Sequence, residues 1–205
     1  THDEESRRAF ISKGFREEAK AIANANVGIF SNLVTADCPL IGIEPSAILT
    51  FRDEYIRLAD DKESAKKLAK NVFTIEEFFK KEITSGKIHS EQFSDIAKTI
   101  KIHGHCHQKS LSTIEATFAM LNVPKNSVVT IYNSGCCGMA GSFGYEKEHY
   151  DISMQMGEDT LFPKIRATDA TTAIAAAGTS CRHQIFDGTN RKAMHPVSIL
   201  KDCLK

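Results

Sequence analysis

The stretch that decides the fold covers residues 127–144 and reads SVVTIYNSGCCGMAGSFG. Its first part, residues 127–132, is rich in Val and Ile, which is typical of a strand. A glycine-rich turn follows, and it carries the adjacent pair Cys136 and Cys137. Glycine lets a backbone turn tightly and approach a bulky group closely. The stretch therefore predicts a strand whose following loop builds a site.

The same arrangement occurs on both sides of this stretch. An apolar strand pattern at residues 99–104 precedes Cys106, and another at 171–176 precedes Cys181. Helical patterns separate the strands, and strands that alternate with helices indicate parallel pairing. We therefore predict an α/β fold of parallel-stranded, Rossmann-like layers with helices on both faces. One predicted helix follows residues 99–104 and presents Leu111, Ile114, Phe118 and Leu121; another presents Tyr145, His149, Ile152 and Met156.

The N-terminal third is rich in helical patterns. We predict a helix-rich N-terminal lobe over residues 1–95 and a cysteine-rich α/β half over residues 96–205. In the lobe, apolar residues at helical spacing predict a helix over residues 4–23 that continues to about residue 36 after a break at 24–26. The other elements predicted in this lobe are a strand at 39–43 and helices at 44–58, 62–70 and 74–84.

Composition limits the classes of partner. The chain has 205 residues, 41% of them hydrophobic and 25% charged, and its formal net charge is zero. A neutral chain has no electrostatic attraction to polyanions, so we expect no nucleic-acid partner. No apolar run reaches the roughly 18 residues of a membrane-spanning helix, so no transmembrane segment is predicted. The opening residues THDEESRRAF are charged and predict no signal peptide, and the lack of an initiator Met predicts further domains upstream.

The six cysteines are interpreted as thiols of a cytoplasmic protein rather than as disulfides, because a chain of this length does not need covalent cross-links. Three strands lead to Cys106, to the pair Cys136 and Cys137, and to Cys181. Ligands of open α/β sheets collect beyond the carboxyl ends of parallel strands, so these thiols are predicted to converge on one centre. Cys38 and Cys203 are predicted to pack as small buried hydrophobes.

The chemistry of the predicted centre follows from its ligands. Soft thiolates favour iron–sulfur clusters or zinc. Gly138 and Gly141 are predicted cofactor-binding residues, because amides in such a turn can point at sulfur. A disulfide between Cys136 and Cys137 remains an alternative. A mixed site is also open, because His103, His105 and His107 flank Cys106, and His183 follows Cys181. His149 fits a hydrogen-bonded core position as well as a site position.

Three motifs in this sequence resemble the CCG domain. They are HGHCHQK at residues 103–109, SGCCGMAGSFGYEKEH at 134–149 and SCRHQI at 180–185. That cysteine-rich domain is found in heterodisulfide reductase and in the iron–sulfur subunit of glycolate oxidase. The sequence is most similar to the C-terminal part of fused flavin-linked D-2-hydroxyacid dehydrogenases, and GIEPS at residues 42–46 also fits that subgroup.

Two departures from the family pattern bear on the site. The CCG pattern ends in Cys-x-x-Cys, but here Gln184 stands three positions after Cys181. The subgroup also has a cysteine after Glu-Pro-Ser, where this chain has Ala47. We therefore expect one four-thiolate centre, and the N-terminal lobe is interpreted as a degenerate first CCG-type half.

The resemblance implies an electron-transfer role. It implies a 4Fe–4S type iron–sulfur cluster on Cys106, Cys136, Cys137 and Cys181, with zinc as the other candidate metal. It also implies an upstream FAD domain and a ferredoxin-like segment, oxidation of glycolate, D-lactate or another small 2-hydroxy acid, and a quinone or protein as electron acceptor. The chain by itself would then hold no catalytic residue and lack dehydrogenase activity. The expected location is the cytoplasm, with peripheral attachment to the inner membrane face left open.

Two other functions stay open from the residues. The same cysteines, with His105 or His107, could close a structural zinc site in a docking module. Alternatively, Cys136 and Cys137 could act as a dithiol that reduces a disulfide substrate.

Overall fold

A computed structural model describes residue 6 and residues 8–205 of the chain. The described part divides into two compact units, one ending at Ile75 and the other covering Glu76–Lys205. Among the described residues, no helix has the length and apolar character that crossing a bilayer requires. The helix-rich lobe at 1–95 and the α/β half at 96–205 that the sequence predicts stay a prediction.

The first unit is mostly helical. Its elements in chain order are α1 (Arg8–Ser12), α2 (Arg16–Phe30), β1 (Leu40–Gly42), α3 (Pro45–Thr50), α4 (Glu54–Leu58), α5 (Lys62–Ala69) and β2 (Val72–Thr74). Strands β1 and β2 pair in parallel. Buried Tyr55 accepts a hydrogen bond from Asn26 Nδ2 at 2.8 Å, which ties α4 to α2.

The helix predicted at residues 4–23 begins partly outside the described residues, and its break lies elsewhere. Helix α2 runs unbroken through Asn24 and Asn26, while the chain turns at Gly14, whose φ is +84°. The predicted break at 24–26 is therefore wrong. Asn26 is buried and bonds to Tyr55, so a tertiary contact compensates for its low helix propensity.

The second unit contains a parallel sheet of four strands. After α6 (Ile75–Thr84), which spans the boundary between the units, its elements are β3 (Lys98–His103), α7 (Cys106–Leu111), α8 (Ile114–Leu121), β4 (Ser127–Ile131), α9 (Tyr150–Arg166), β5 (Ala173–Ala176), α10 (Thr179–Thr189), β6 (Ala193–Met194) and α11 (Pro196–Lys201). The strand order is β4-β3-β5-β6, and every pair is parallel. The predicted α/β class is confirmed.

Two hydrophobic clusters lie on the two faces of this sheet. One contains Ile174 and Ala176 of β5 together with side chains of α9 and α10. The other contains Ile100 and Ile102 of β3 together with side chains of α8 and α11. Since alternate residues of a strand point to opposite faces, the two clusters place helices on both sides of the sheet.

Phe162 of α9 fixes the packing of α9 against α10. A Cβ added to Gly157 of α9 or to Gly188 of α10 would lie 2.3 Å from the Phe162 ring. The two glycines therefore leave the space that this buried ring fills. This contact matters for the site, because α10 carries Cys181 near its first turn.

Candidate metal centre

The thiols approach one another because their strands are neighbours. Strand β3 lies between β4 and β5, so the loops that follow these three strands leave the same edge of the sheet side by side. Connections from β3 and β5 run to strands on opposite sides of the sheet, which makes this edge a topological switch point where ligands of α/β sheets bind. Cys106 opens α7, Cys136 and Cys137 lie in the loop after β4, and Cys181 lies in the first turn of α10.

The four sulfurs form a continuous chain of contacts. Cys106 and Cys136 are joined by a hydrogen bond between their thiols, and so are Cys136 and Cys137. Cys137 Sγ donates to Cys181 Sγ at 3.4 Å. Cys106 is exposed and Cys136 is half-buried, whereas Cys137 and Cys181 are buried. The cluster thus reaches from the core to the surface.

His103 joins the inner end of this cluster. One ring nitrogen of His103 and the Sγ atoms of Cys137 and Cys181 all lie within 4.8 Å of one another, and all three residues are buried. His103 Nδ1 contacts Ser134 Oγ at 3.0 Å. Its Nε2 is buried and makes no hydrogen bond of good geometry, although the ring interacts with the Cys181 thiol, whose pKa both Cys137 and His103 lower. The sequence placed His103 beside Cys106 but did not single it out, because only the tertiary structure brings it to the other two thiols.

Hydrogen bonds among the thiols shift their pKa values in opposite directions. Thiols that hydrogen-bond to Cys136 lower the pKa of its thiol, and a hydrogen bond from Cys137 lowers the pKa of Cys181. Donating to these neighbours raises the pKa of Cys106 and of Cys137. Four adjacent thiolates repel one another, so full ionisation needs a positive centre among them. Four soft donors and a buried imidazole beside two of them fit an iron–sulfur cluster or zinc.

The turn after Cys137 is fixed by glycines and by two buried polar side chains. Gly138 N donates to Cys136 Sγ at 3.3 Å, so this predicted residue points its amide at sulfur. Gln184 Nε2 donates to Ser153 O at 3.0 Å and to Ser153 Oγ at 2.8 Å. Ser153 Oγ in turn donates to Gly138 O at 3.0 Å. Gly141 is exposed at a φ of +74°, and its predicted role in cofactor binding stays a prediction.

The remaining histidines have other contacts. His105 Nδ1 accepts from His107 N at 3.2 Å and caps α7, and a Cβ on Gly178 would lie 2.3 Å from the His105 ring. His183 is exposed, and its Nδ1 lies 2.7 Å from Tyr145 Oη. In the described residues, none of these three rings belongs to the group that can hold a metal ion.

Further predictions near the site have mixed outcomes. His149 stacks on Phe143 with ring centroids 4.0 Å apart, so it is held by packing. The helix predicted from Tyr145 begins only at Tyr150, since two short 3₁₀ turns precede it. Ile152 and Met156 are exposed, so the predicted apolar stripe of that helix does not form a core.

The other two cysteines differ from each other. Cys203 is buried and donates to Ile199 O at 3.3 Å, which confirms its packing role. Cys38 is exposed, so its predicted burial is wrong. Cys38 lies in the connection between α2 and β1. All six cysteines are free thiols, without a bond between Cys136 and Cys137.

Comparison with known proteins finds similarity to parts of larger enzymes. The chain is 28% identical over 212 residues to D-2-hydroxyglutarate dehydrogenase of Haemophilus influenzae, covering 97% of this chain and 19% of that protein. It is 25% identical over 195 residues to one subunit of the anaerobic glycerol-3-phosphate dehydrogenase of Escherichia coli K12, covering 95% of this chain and 48% of that protein. A D-2-hydroxyglutarate dehydrogenase of the same Escherichia coli strain is 24% identical over 94% of the chain.

No protein-family model and no solved structure matches the chain. The chain thus spans about a fifth of the D-2-hydroxyglutarate dehydrogenases and about half of the glycerol-3-phosphate dehydrogenase subunit. Over nearly its whole length, this chain is similar to segments of oxidoreductases that are larger than itself.

Proposed function

We propose that the chain is a CCG-type electron-transfer domain of a flavin-linked oxidoreductase, and that its residues 106, 136, 137 and 181 ligate an iron–sulfur cluster of the 4Fe–4S type. The observation that carries this proposal is the contact chain of four thiols supplied by the loops after three neighbouring parallel strands. An iron–sulfur cluster would supply a one-electron carrier at this position.

The residues of the chain would hold and tune such a carrier. Cys137 and Cys181 would anchor it on the buried side, and Cys106 would hold its exposed edge, where an electron partner can approach closely. Gly138 N, which donates to Cys136 Sγ, would stabilise the negative charge on sulfur. Hydrogen bonds to ligating sulfur shift the reduction potential, so this amide is part of the tuning.

The substrate class follows from the relatives and from the CCG motifs together. Some relatives are named for D-2-hydroxyglutarate, which is a small 2-hydroxy acid like glycolate and D-lactate. We propose that an upstream FAD domain oxidises such an acid and that a ferredoxin-like segment passes the electrons to this domain. The final acceptor would be a quinone or a protein. In this scheme residues 1–205 alone have no dehydrogenase activity, residues 1–95 are a degenerate CCG-type half, and the enzyme acts in the cytoplasm or at the inner membrane face.

The decisive experiment measures what the cysteines bind. Iron, acid-labile sulfide and zinc are quantified in protein purified anaerobically, in Cys136→Ala and in the control Cys38→Ala. We expect Cys136→Ala to lose about four iron atoms per chain relative to the unaltered protein. Cys38→Ala should lose none, because this exposed thiol lies outside the cluster. An unaltered protein free of iron contradicts the proposal.

A structural zinc site is the second candidate. The observation that favours it is the buried group of His103, Cys137 and Cys181, since imidazole and thiolate are the ligands of structural zinc. The same measurement separates the two candidates. Stoichiometric zinc without iron or sulfide would make the chain a metal-stabilised docking module. A metal-free protein would leave the dithiol chemistry of Cys136 and Cys137, whose thiols are hydrogen-bonded to each other.

A further inference from the structure

His103 is a buried polar residue at the end of a central strand of the sheet. It ends strand β3 and is 1% exposed, so its ring is removed from water. Its neighbours in the strand, Ile100 and Ile102, pack into the cluster on one face of the sheet. A buried imidazole nitrogen without a hydrogen bond costs about 1–3 kcal/mol, so a stable fold keeps one only where something else satisfies it. Nε2 of His103 makes no hydrogen bond of good geometry, and the group that can satisfy the ring is the thiol of Cys181, whose pKa both Cys137 and His103 lower.

The two ring nitrogens have separate environments. Nδ1 lies 3.0 Å from Ser134 Oγ, and the carbonyl of Ser134 accepts from Lys109 Nζ at 3.2 Å. Ser134 is therefore held in place, and it orients the ring through Nδ1. A metal-ligating histidine characteristically donates its other ring N–H to an oxygen, which fixes the tautomer that leaves the ligating nitrogen free. Ser134 provides this contact.

The sulfurs nearest to His103 complete the geometry. A ring nitrogen of His103 lies within 4.8 Å of Sγ of both Cys137 and Cys181, while those two sulfurs are 3.4 Å apart. An ion about 2.0 Å from nitrogen and about 2.3 Å from sulfur needs these atoms within about 4.3 Å of each other, so a small movement of the side chains would close the group around a metal. We propose that His103 Nε2 is a direct ligand of the metal centre beside Cys137 and Cys181, in the place of one of the four thiolates assigned above; this proposal rests on the proposed function.

The alternative is a histidine that only hydrogen-bonds to a ligating sulfur. The two cases differ in the metal's own coordination. A bound imidazole adds a nitrogen scatterer at about 2.0 Å to the sulfur shell at about 2.3 Å. It also replaces a negative ligand by a neutral one, and such histidine ligation raises the reduction potential of iron–sulfur centres. A hydrogen bond to sulfur leaves the ligand shell all sulfur.

The test is X-ray absorption at the edge of the metal that the anaerobically purified protein retains, iron or zinc. We expect a nitrogen contribution with imidazole multiple scattering in the unaltered protein. His103→Cys should lose this contribution, and in an iron centre it should lower the reduction potential. The control is His183→Ala, because His183 is exposed and contacts Tyr145 instead of the thiols. Its spectrum should equal that of the unaltered protein.

Each result has a distinct meaning. An iron-loaded protein with an all-sulfur shell, or with a nitrogen signal that persists in His103→Cys, overturns the assignment of His103 and leaves the proposed function standing. A zinc-loaded protein whose nitrogen signal is lost in His103→Cys supports the assignment and overturns the proposed function. A protein without iron or zinc overturns both. Since the ligand shell is measured first on the unaltered protein, the assignment is decided even where the His103→Cys variant fails to fold.

Discussion

Gly138 is the most constrained residue of the loop that carries the cysteine pair. Its φ is +99°, and a Cβ there would lie 2.0 Å from the backbone oxygen of Ser153. Gly141 has a similar φ of +74°, but a Cβ there would meet nothing within 4 Å. Comparing substitutions at the two glycines therefore distinguishes the cost of backbone strain from the cost of a steric clash. Only at Gly138 do both act together.

We predict that Gly138→Ala lowers the free energy of unfolding by about 2–4 kcal/mol, because strain adds to a clash with backbone that cannot move away. Gly141→Ala should cost about 1–2 kcal/mol, the strain of an alanine in the left-handed region. Urea unfolding of both variants in the metal-free state measures the difference. Equal costs at the two positions would show that the contact with Ser153 does not constrain the loop.

The elements around the site are held together by polar contacts as well as by apolar packing. Helices α9 and α10 enclose Phe162, and Gln184 of α10 donates to Ser153 of α9. Ser153 then donates to the carbonyl oxygen of Gly138. This relay joins two helices to the loop of Cys136 and Cys137. Gln184 thus positions the loop of Cys136 and Cys137 through Ser153.

We expect Gln184→Ala to lower the free energy of unfolding by about 1–3 kcal/mol, since two buried hydrogen bonds are lost. We also expect the variant to retain less metal after gel filtration, because the loop of Cys136 and Cys137 loses its support. Asp187→Ala is the control: this residue is exposed on the same helix, and its replacement should change stability by less than about 0.5 kcal/mol. Full metal retention by Gln184→Ala would contradict the positioning role.

The proposed metal centre belongs to a single unit of the molecule, Glu76–Lys205, because every residue proposed as a ligand lies in that unit. Three of its loops meet at the centre, and each follows a different strand of one sheet. A ligand that binds only the folded state stabilises that state, and the loops that hold it gain the most protection.

We predict that removing the metal with a chelator speeds amide hydrogen exchange about 10-fold or more at residues 104–107, 133–142 and 177–182. Exchange in α2, which lies in the other unit, should stay within twofold. Hydrogen exchange with mass spectrometry of the loaded and stripped protein measures both. A uniform change over the whole chain, or none in the three loops, would contradict a centre at this edge of the sheet.

Prediction from sequence succeeded where local pattern and structure agree. The strands before Cys106, before Cys136 and before Cys181 were located correctly, because short runs of branched and small apolar residues are typical of strands. Strands β2 and β6 were missed. Strand β2 contains three residues and β6 contains two, so neither is long enough to show an alternating pattern. Each is also separated from its partner strand by at least one helix, so no hairpin turn in the sequence marks the pair.

The α/β class, the glycine-rich turn and the position of four thiols after strands can all be predicted from the amino-acid sequence. These features depend on residue type and on the spacing of apolar residues over a few positions. The tertiary structure alone decided that β3 lies between β4 and β5, and this order makes the thiols neighbours. It also selected His103 rather than His105 or His107 for the buried group, since a side chain's partners depend on which loops fold over the strand end. Distances between residues 103, 137 and 181 arise from packing, which sequence spacing does not encode.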